Sequence, residues 1–327
     1  MKNEKKLRVL ALDGSGVRGI VLARVLQELE ERTHRRTHEL FDFVIGNSAG
    51  ALVAMALMTP DGHGRARLSA ADLVQFYRDN ASAMFKKSFF HFFKLWWGLR
   101  KPKYDRKYLD QVLATLLGDT PLSATLKPVA ACTYSLDHAT PRLWTTYDAQ
   151  QHKHPDYRLC DLASAASATP TYFAPKTMTA REGATMHEVD AGPWVDQSCM
   201  AAISALKAMG ISLPHPDVTL FSLDTTQVRL NKPLTKLKLP TAGIEQWVGK
   251  ANLLDLIAGT IGTWHQDMGD IAYPSNYCLK VPVSIPFMAS SMDDSSETYL
   301  THLVKMTEAH ISQHNASIIQ MCSTLMS

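Results

Sequence analysis

Residues 7 to 12, LRVLAL, form an apolar run broken by one arginine, which predicts a buried strand. After a small glycine-rich turn, Val21, Leu22, Val25, Leu26 and Leu29 recur at helical spacing between Ile20 and Glu31. A second apolar run, FDFVIG at 41–46, predicts another strand, and the small and straight-chain residues of SAGALVAMALM favour a helix directly after it. This alternation predicts an α/β fold, a single three-layer domain with a mainly parallel central sheet. Helices are expected at 69–83 and 105–117, and strands at 127–135, 141–147 and 217–225. A loop is expected from Pro286 to Ser296, before a last helix. With no repeat or linker in view, one domain over residues 1–327 is expected, its core at about 7–230 and a C-terminal extension at about 231–327.

Composition narrows the class. The chain of 327 residues is 46% hydrophobic and 20% charged, ample for a sizeable core. A formal charge of +3 is too small to imply nucleic acid, although basic residues cluster at Arg32–Arg36 and between Lys86 and Lys107. The cysteines (Cys132, Cys160, Cys199, Cys278, Cys322) are odd in number and scattered, which suits a reducing compartment and argues against a disulfide scaffold or zinc ribbon. The basic start runs straight into the first strand and does not read as a signal peptide. No run of 18 apolar residues exists, so nothing is expected to span a bilayer. The expected location is cytoplasmic or peripheral to a membrane, and leaderless export leaves no sequence trace.

Two glycine-rich turns carry the candidate chemistry. Gly14, Gly16 and Gly19 make G-x-G-x-x-G, whose amides serve a pyrophosphate and an oxyanion equally well. A dinucleotide site wants an acidic residue closing the second strand, whereas Asp42 opens it. That strand closes instead on Gly46-Asn47-Ser48, and VIGNSAGAL contains G-x-S-x-G as Gly46, Ser48 and Gly50. A serine on a sharp strand-to-helix turn needs tiny residues two positions to either side. It presents its hydroxyl at a helix N-terminus, where developing negative charge is favoured. An N-cap serine in a tight loop is the structural alternative.

DGSGVRG at 13–19 paired with GNSAG at 46–50 resembles the patatin-like phospholipase family, as do AASATPTYFAP at 165–175 and EVDAGPW at 188–194, in the family's motif order. The resemblance implies a lipid acyl hydrolase without metal or cofactor, acting on a phospholipid or other fatty acyl ester. It implies Ser48 as nucleophile, Asp190 as base, and an oxyanion loop of Gly14, Ser15, Gly16, Val17, Arg18 and Gly19, in which the Gly16 and Val17 amides are the donors. Ser15 stands where the family usually has glycine, and so does Ala191 in Asp190-Ala191-Gly192. Ala191 is accommodated if its φ is ordinary and strained if φ must be positive.

An aspartate near pKa 3.9 is a weak base in water, and burial in an apolar pocket raises it. The competing chemistry is a Ser-His-Asp triad using His265, His302, His310 or His314, none of which sits in a distinctive motif. The pairs His34/His38 and His152/His154 read as solvated faces, since neither has further matched ligands. Arg18 either fixes the loop, meets an anionic head group, or is an ordinary exposed residue. Phe89 to Leu99, flanked by lysines and arginines, reads as an interfacial membrane segment or as a core-packed helix. A catalytically silent lipid- or partner-binding module and a nucleotide-binding regulator are the alternative functions. Head group, activator and oligomeric state leave no readable signal.

Overall fold

The computed structural model describes residues 6–86, 102–192, 198–211, 215–225, 228–229, 278–282, 285–286 and 292–327. The aromatic stretch Phe89–Leu99 and His265 lie outside the described residues.

The first strand, β1 (Leu7–Gly14), is paired in parallel on both edges: with β2 (Phe43–Ser48) from Val9↔Phe43 to Gly14↔Ser48, and with β7 (Val218–Asp224). Beyond β7 lies β9 (Cys278–Pro282), also parallel, while the short β8 (Val228–Arg229) and β10 (Ile285–Pro286) pair apart from this sheet. On the other side β2 pairs in parallel with β3 (Val129–Ser135), after which the sheet turns antiparallel through β4 (Thr140–Thr145), β6 (Thr185–Asp190) and β5 (Lys176–Thr179).

Strand alternation splits the core. Leu10 and Leu12 join Val25, Leu26, Leu52 and Leu303 on one face, whereas Val9 and Ala11 join Phe43, Ile45, Ala202 and Leu206 on the other. The short α2 (Thr37–Leu40) leads into β2, and the first face is covered by α1 (Gly19–Thr33), α3 (Ala49–Leu57), α4 (Ala70–Met84), α5 (Arg106–Leu117) and α7 (Leu159–Ala166). The second carries α8 (Ser198–Ala208). The result is the three-layer α/β arrangement with a mainly parallel sheet that the apolar runs predict.

Two local expectations need correction. Residues 141–147 are strand only to Thr145, whose hydroxyl accepts from the Asp148 N–H and starts the short α6 (Thr146–Gln150). The single last helix is two, Glu297–Gln313 (α9) and Asn315–Met326 (α10), broken at His314. Both pack on the first face through Leu300, Leu303, Ile311, Ile318 and Met321. The Arg8 guanidinium fixes this end to β1 by donating to the Leu325 carbonyl at 2.8 Å.

Candidate active site

The register along β3 explains how two distant residues meet. All of β3 from Ala130 to Ser135 pairs with β4 on one edge, so β2 and β6 share the other. The β2 pairing ends at Asn47↔Cys132, and the next residue, Thr133, pairs with Asp190. The C-terminal ends of β2 and β6 therefore abut, with Ser48 on one and Asp190 on the other.

Ser48 sits at φ 51°, ψ −123°, a strained conformation for a side-chain-bearing residue. The turn is tight enough to exclude neighbouring side chains. A Cβ added to Gly46 would lie 2.3 Å from the Gly50 carbonyl carbon, and one added to Gly50 would lie 2.0 Å from the Leu12 oxygen. The Ser48 side chain makes no capping bond to α3, which removes the N-cap reading. Its Oγ donates to Asp190 Oδ2 at 2.8 Å instead.

The Asp190 carboxylate is 2% exposed. Besides Ser48 it accepts from Thr169 Oγ1 on Oδ2 at 2.7 Å and from the Gly192 N–H on Oδ1 at 2.8 Å. Burial raises its pKa above the usual carboxylate value, and the three hydrogen bonds, which stabilise the charged form, oppose that rise. Next to it on β3, burial pushes the Cys132 thiol up to about 12, so it stays protonated. Ala191 is fully buried and is not among the residues at positive φ, so the alanine fits without backbone strain.

Asp13 is buried and acts structurally. Its Oδ1 accepts from the Ser198 N–H at 2.7 Å and the Ser198 hydroxyl at 2.6 Å, which holds the first turn of α8 against the end of β1. Burial, then the nearby Asp224, raises its pKa well above normal. Ser15 takes an ordinary extended conformation, φ −129°, so a side chain is tolerated there. Gly16 does not share that freedom, with φ +53°. The Val17 N–H donates to the Met292 carbonyl at 2.9 Å, and a Cβ on Gly16 would fall 1.9 Å from that oxygen. The segment is anchored at Asp293, which accepts from Tyr104 Oη at 2.6 Å and from Lys103. Arg18 is 3% exposed and its guanidinium interacts with the Tyr299 hydroxyl on α9, which removes the reading as an ordinary exposed residue.

A cavity of about 20 Å³ opens at Ser48, lined by Gly16, Leu52, Tyr77, Phe85, Leu109, Thr169, Phe173 and Met292, among others. It is apolar and little larger than a water site. Sequence reasoning did not identify Thr169, Tyr77 or Met292. Thr169 lies inside a motif the sequence singled out, whereas Tyr77 and Met292 carried no signal of their own. Asp42, the candidate ribose ligand of a nucleotide site, is engaged by Arg8 at 3.1 Å. His154, expected on a solvated face, is half-buried with its ring edge-on to Trp144.

Among known sequences, a patatin-like phospholipase family model matches residues 10–196. Patatin-like protein 2 of Arabidopsis thaliana is 36% identical over 174 residues, 50% of this chain and 43% of that protein. Patatin-like protein 4 of the same plant is 28% identical over 263 residues, covering 73% of this chain and 64% of that protein. A Solanum tuberosum protein named probable inactive patatin-3-Kuras 1 is 33% identical over 174 residues, 51% of this chain and 45% of that one. The chain thus matches between about two fifths and two thirds of the length of these relatives.

Proposed function

The chain belongs to the patatin-like phospholipase family, and from that premise we propose that it is a serine acyl hydrolase which cleaves fatty acyl esters through an acyl-Ser48 intermediate. The observation that carries this reading is the 2.8 Å bond between Ser48 Oγ, on its strained turn, and the buried Asp190 carboxylate. Ser48 Oγ attacks the ester carbonyl while its proton passes to Asp190 Oδ2. The carbon–oxygen bond to the alcohol breaks, and the leaving oxygen takes the proton. Water then attacks the acyl carbon, gives its proton to Oδ2, and Ser48 recovers that proton as the fatty acid departs. Burial supports Asp190 as base, because a raised pKa brings a carboxylate nearer the strength the step needs.

The Gly16 and Val17 amides are the oxyanion donors in this reading, each worth about 3 to 4 kcal/mol where such donors have been measured. The substrate carbonyl takes the place that the Met292 carbonyl holds at Val17. The apolar lining of the Ser48 cavity suits an acyl chain. A phospholipid is the expected substrate class, met at a membrane surface to which Phe89–Leu99 contributes.

One observation favours a second reading, a silent or partner-activated module. The Met292 carbonyl occupies a proposed donor, and the cavity that the described residues form at Ser48 is far below the several hundred Å³ of an ordinary ligand site. Turnover of a fluorogenic fatty ester by the wild type, absent in Ser48→Ala, separates the two. Equal signals from both proteins reject the hydrolase.

A further inference from the structure

The base is held by two hydroxyls that differ in when they are available. Both Ser48 Oγ and Thr169 Oγ1 donate to the same oxygen, Asp190 Oδ2, at 2.8 and 2.7 Å. Thr169 belongs to the turn after α7, and that turn is tied to Asp190 a second time, since the Asp190 N–H donates to the Ala168 carbonyl at 3.2 Å. Thr169 also lines the cavity at Ser48. A turn threonine most often bonds its own neighbouring backbone. Here the hydroxyl reaches a strand 21 residues away instead.

We propose that Thr169 is a positioning residue for the general base, keeping Asp190 Oδ2 aimed at the reacting carbon during the half of the cycle in which Ser48 cannot. This rests on the acyl-serine reading above. In the free enzyme both hydroxyls hold Oδ2. Once Ser48 carries an acyl group it has no proton to donate, and Thr169 alone restrains that oxygen, with the Gly192 N–H on the other. The incoming water must then find Oδ2 in place: its oxygen bonds to the acyl carbon, its proton goes to the lone pair Thr169 leaves open, and that proton passes on to Ser48 Oγ as the bond from the acyl carbon to Oγ breaks. Loss of the threonine hydroxyl therefore harms deacylation more than acylation. It also removes a donor that favours the charged carboxylate. Cys132, the titratable group facing Asp190 from β3, stays protonated and does not mask that change.

The test uses the full chain and a soluble p-nitrophenyl ester, with Thr169→Val to delete the hydroxyl at nearly constant volume and Thr169→Ser to restore it. Thr169→Ala replaces the valine variant if that one melts below wild type. The hydroxyl-free variant is expected to turn over about tenfold more slowly on the pH plateau, the scale of one hydrogen bond to a charged group. Its pre-steady-state burst should grow towards one acyl group per enzyme, and the acid limb of kcat/KM should move up in pH. Thr169→Ser should bring back the wild-type burst and limb. A hydroxyl-free variant with unchanged burst and limb overturns the proposal, as does a serine variant that behaves like valine. A wild type without turnover overturns the hydrolase reading and this inference together, so the two failures are distinguishable.

Discussion

The Ser48 hydroxyl donates to the Asp190 carboxylate across 142 residues of chain, and both groups are buried where two strand ends meet. If the two act as one unit, their losses do not add. Ser48→Ala and Asp190→Asn should each reduce kcat on a fatty ester by on the order of a thousandfold or more, and the double variant should be little worse than the poorer single one. Steady-state kinetics of the four proteins completes the cycle, and additive losses would mean the pair is not functionally coupled.

The acid limb of kcat/KM should lie above the ordinary aspartate range. With Asp190 as the base, activity requires its ionised form, and burial raises its folded-state pKa from 3.8, so activity should fall as pH drops through that raised value. A pH profile on the free enzyme reads this directly. A limb below the ordinary value would assign the base elsewhere.

Two glycines distinguish a clash from backbone strain. Gly50→Ala drives a Cβ to 2.0 Å from the Leu12 oxygen, a backbone atom that cannot step aside, and should cost about 4 kcal/mol or more. Gly62→Ala meets nothing within 4 Å but keeps φ +86°, and should cost about 1 kcal/mol. Denaturant midpoints at equal m values compare them.

Stability should decline as pH rises above the normal carboxylate range, and Asp13 should be part of the cause. Its folded-state pKa lies well above 3.8, so the folded protein holds a proton that the unfolded chain releases. The favourable contribution is complete below the unfolded value and is lost as pH climbs through the folded one. Asp13→Asn keeps an acceptor for Ser198 and should flatten the dependence of Tm on pH. An unchanged slope would place the proton on another buried carboxyl.

The Met292 segment should restrain turnover. Asp293→Asn weakens its hold on Lys103 and Tyr104 and should raise kcat/KM for a short-chain ester, by up to about tenfold. A fall in rate would mean that the segment builds the site instead of obstructing it.

Ser48 was legible as the candidate nucleophile because steric demand leaves a residue-type signature: only glycine fits at positions 46 and 50. The parallel core was legible for a similar reason, since strands buried on both faces read as unbroken apolar runs. Asp190 had no such signature. The β3–β6 register that places it is a long-range pairing, and β6 is a short segment, TMHEVD, without a clean apolar alternation. It entered the reading through family resemblance alone. Arg18 was ambiguous because a helix-start arginine looks alike whether buried or solvated, and its contact with Tyr299 lies on an element near the other end of the chain. Met292 is separated from Ser15, whose hydroxyl meets its sulfur at 3.2 Å, by 277 positions.

Because β2 and β6 share one edge of β3, that strand works as a ruler although it supplies no reacting group. A slip of β6 along it by a single residue, about 3.3 Å, would swing the Asp190 side chain to the opposite side of the sheet. Glu188, Val189 and Asp190 are all buried, so such a slip would carry each of them to the wrong face and disrupt the packing of β6 together with the Ser48–Asp190 contact. Whatever packs β6 correctly therefore also brings the two side chains within reach, with no separate device to set their spacing.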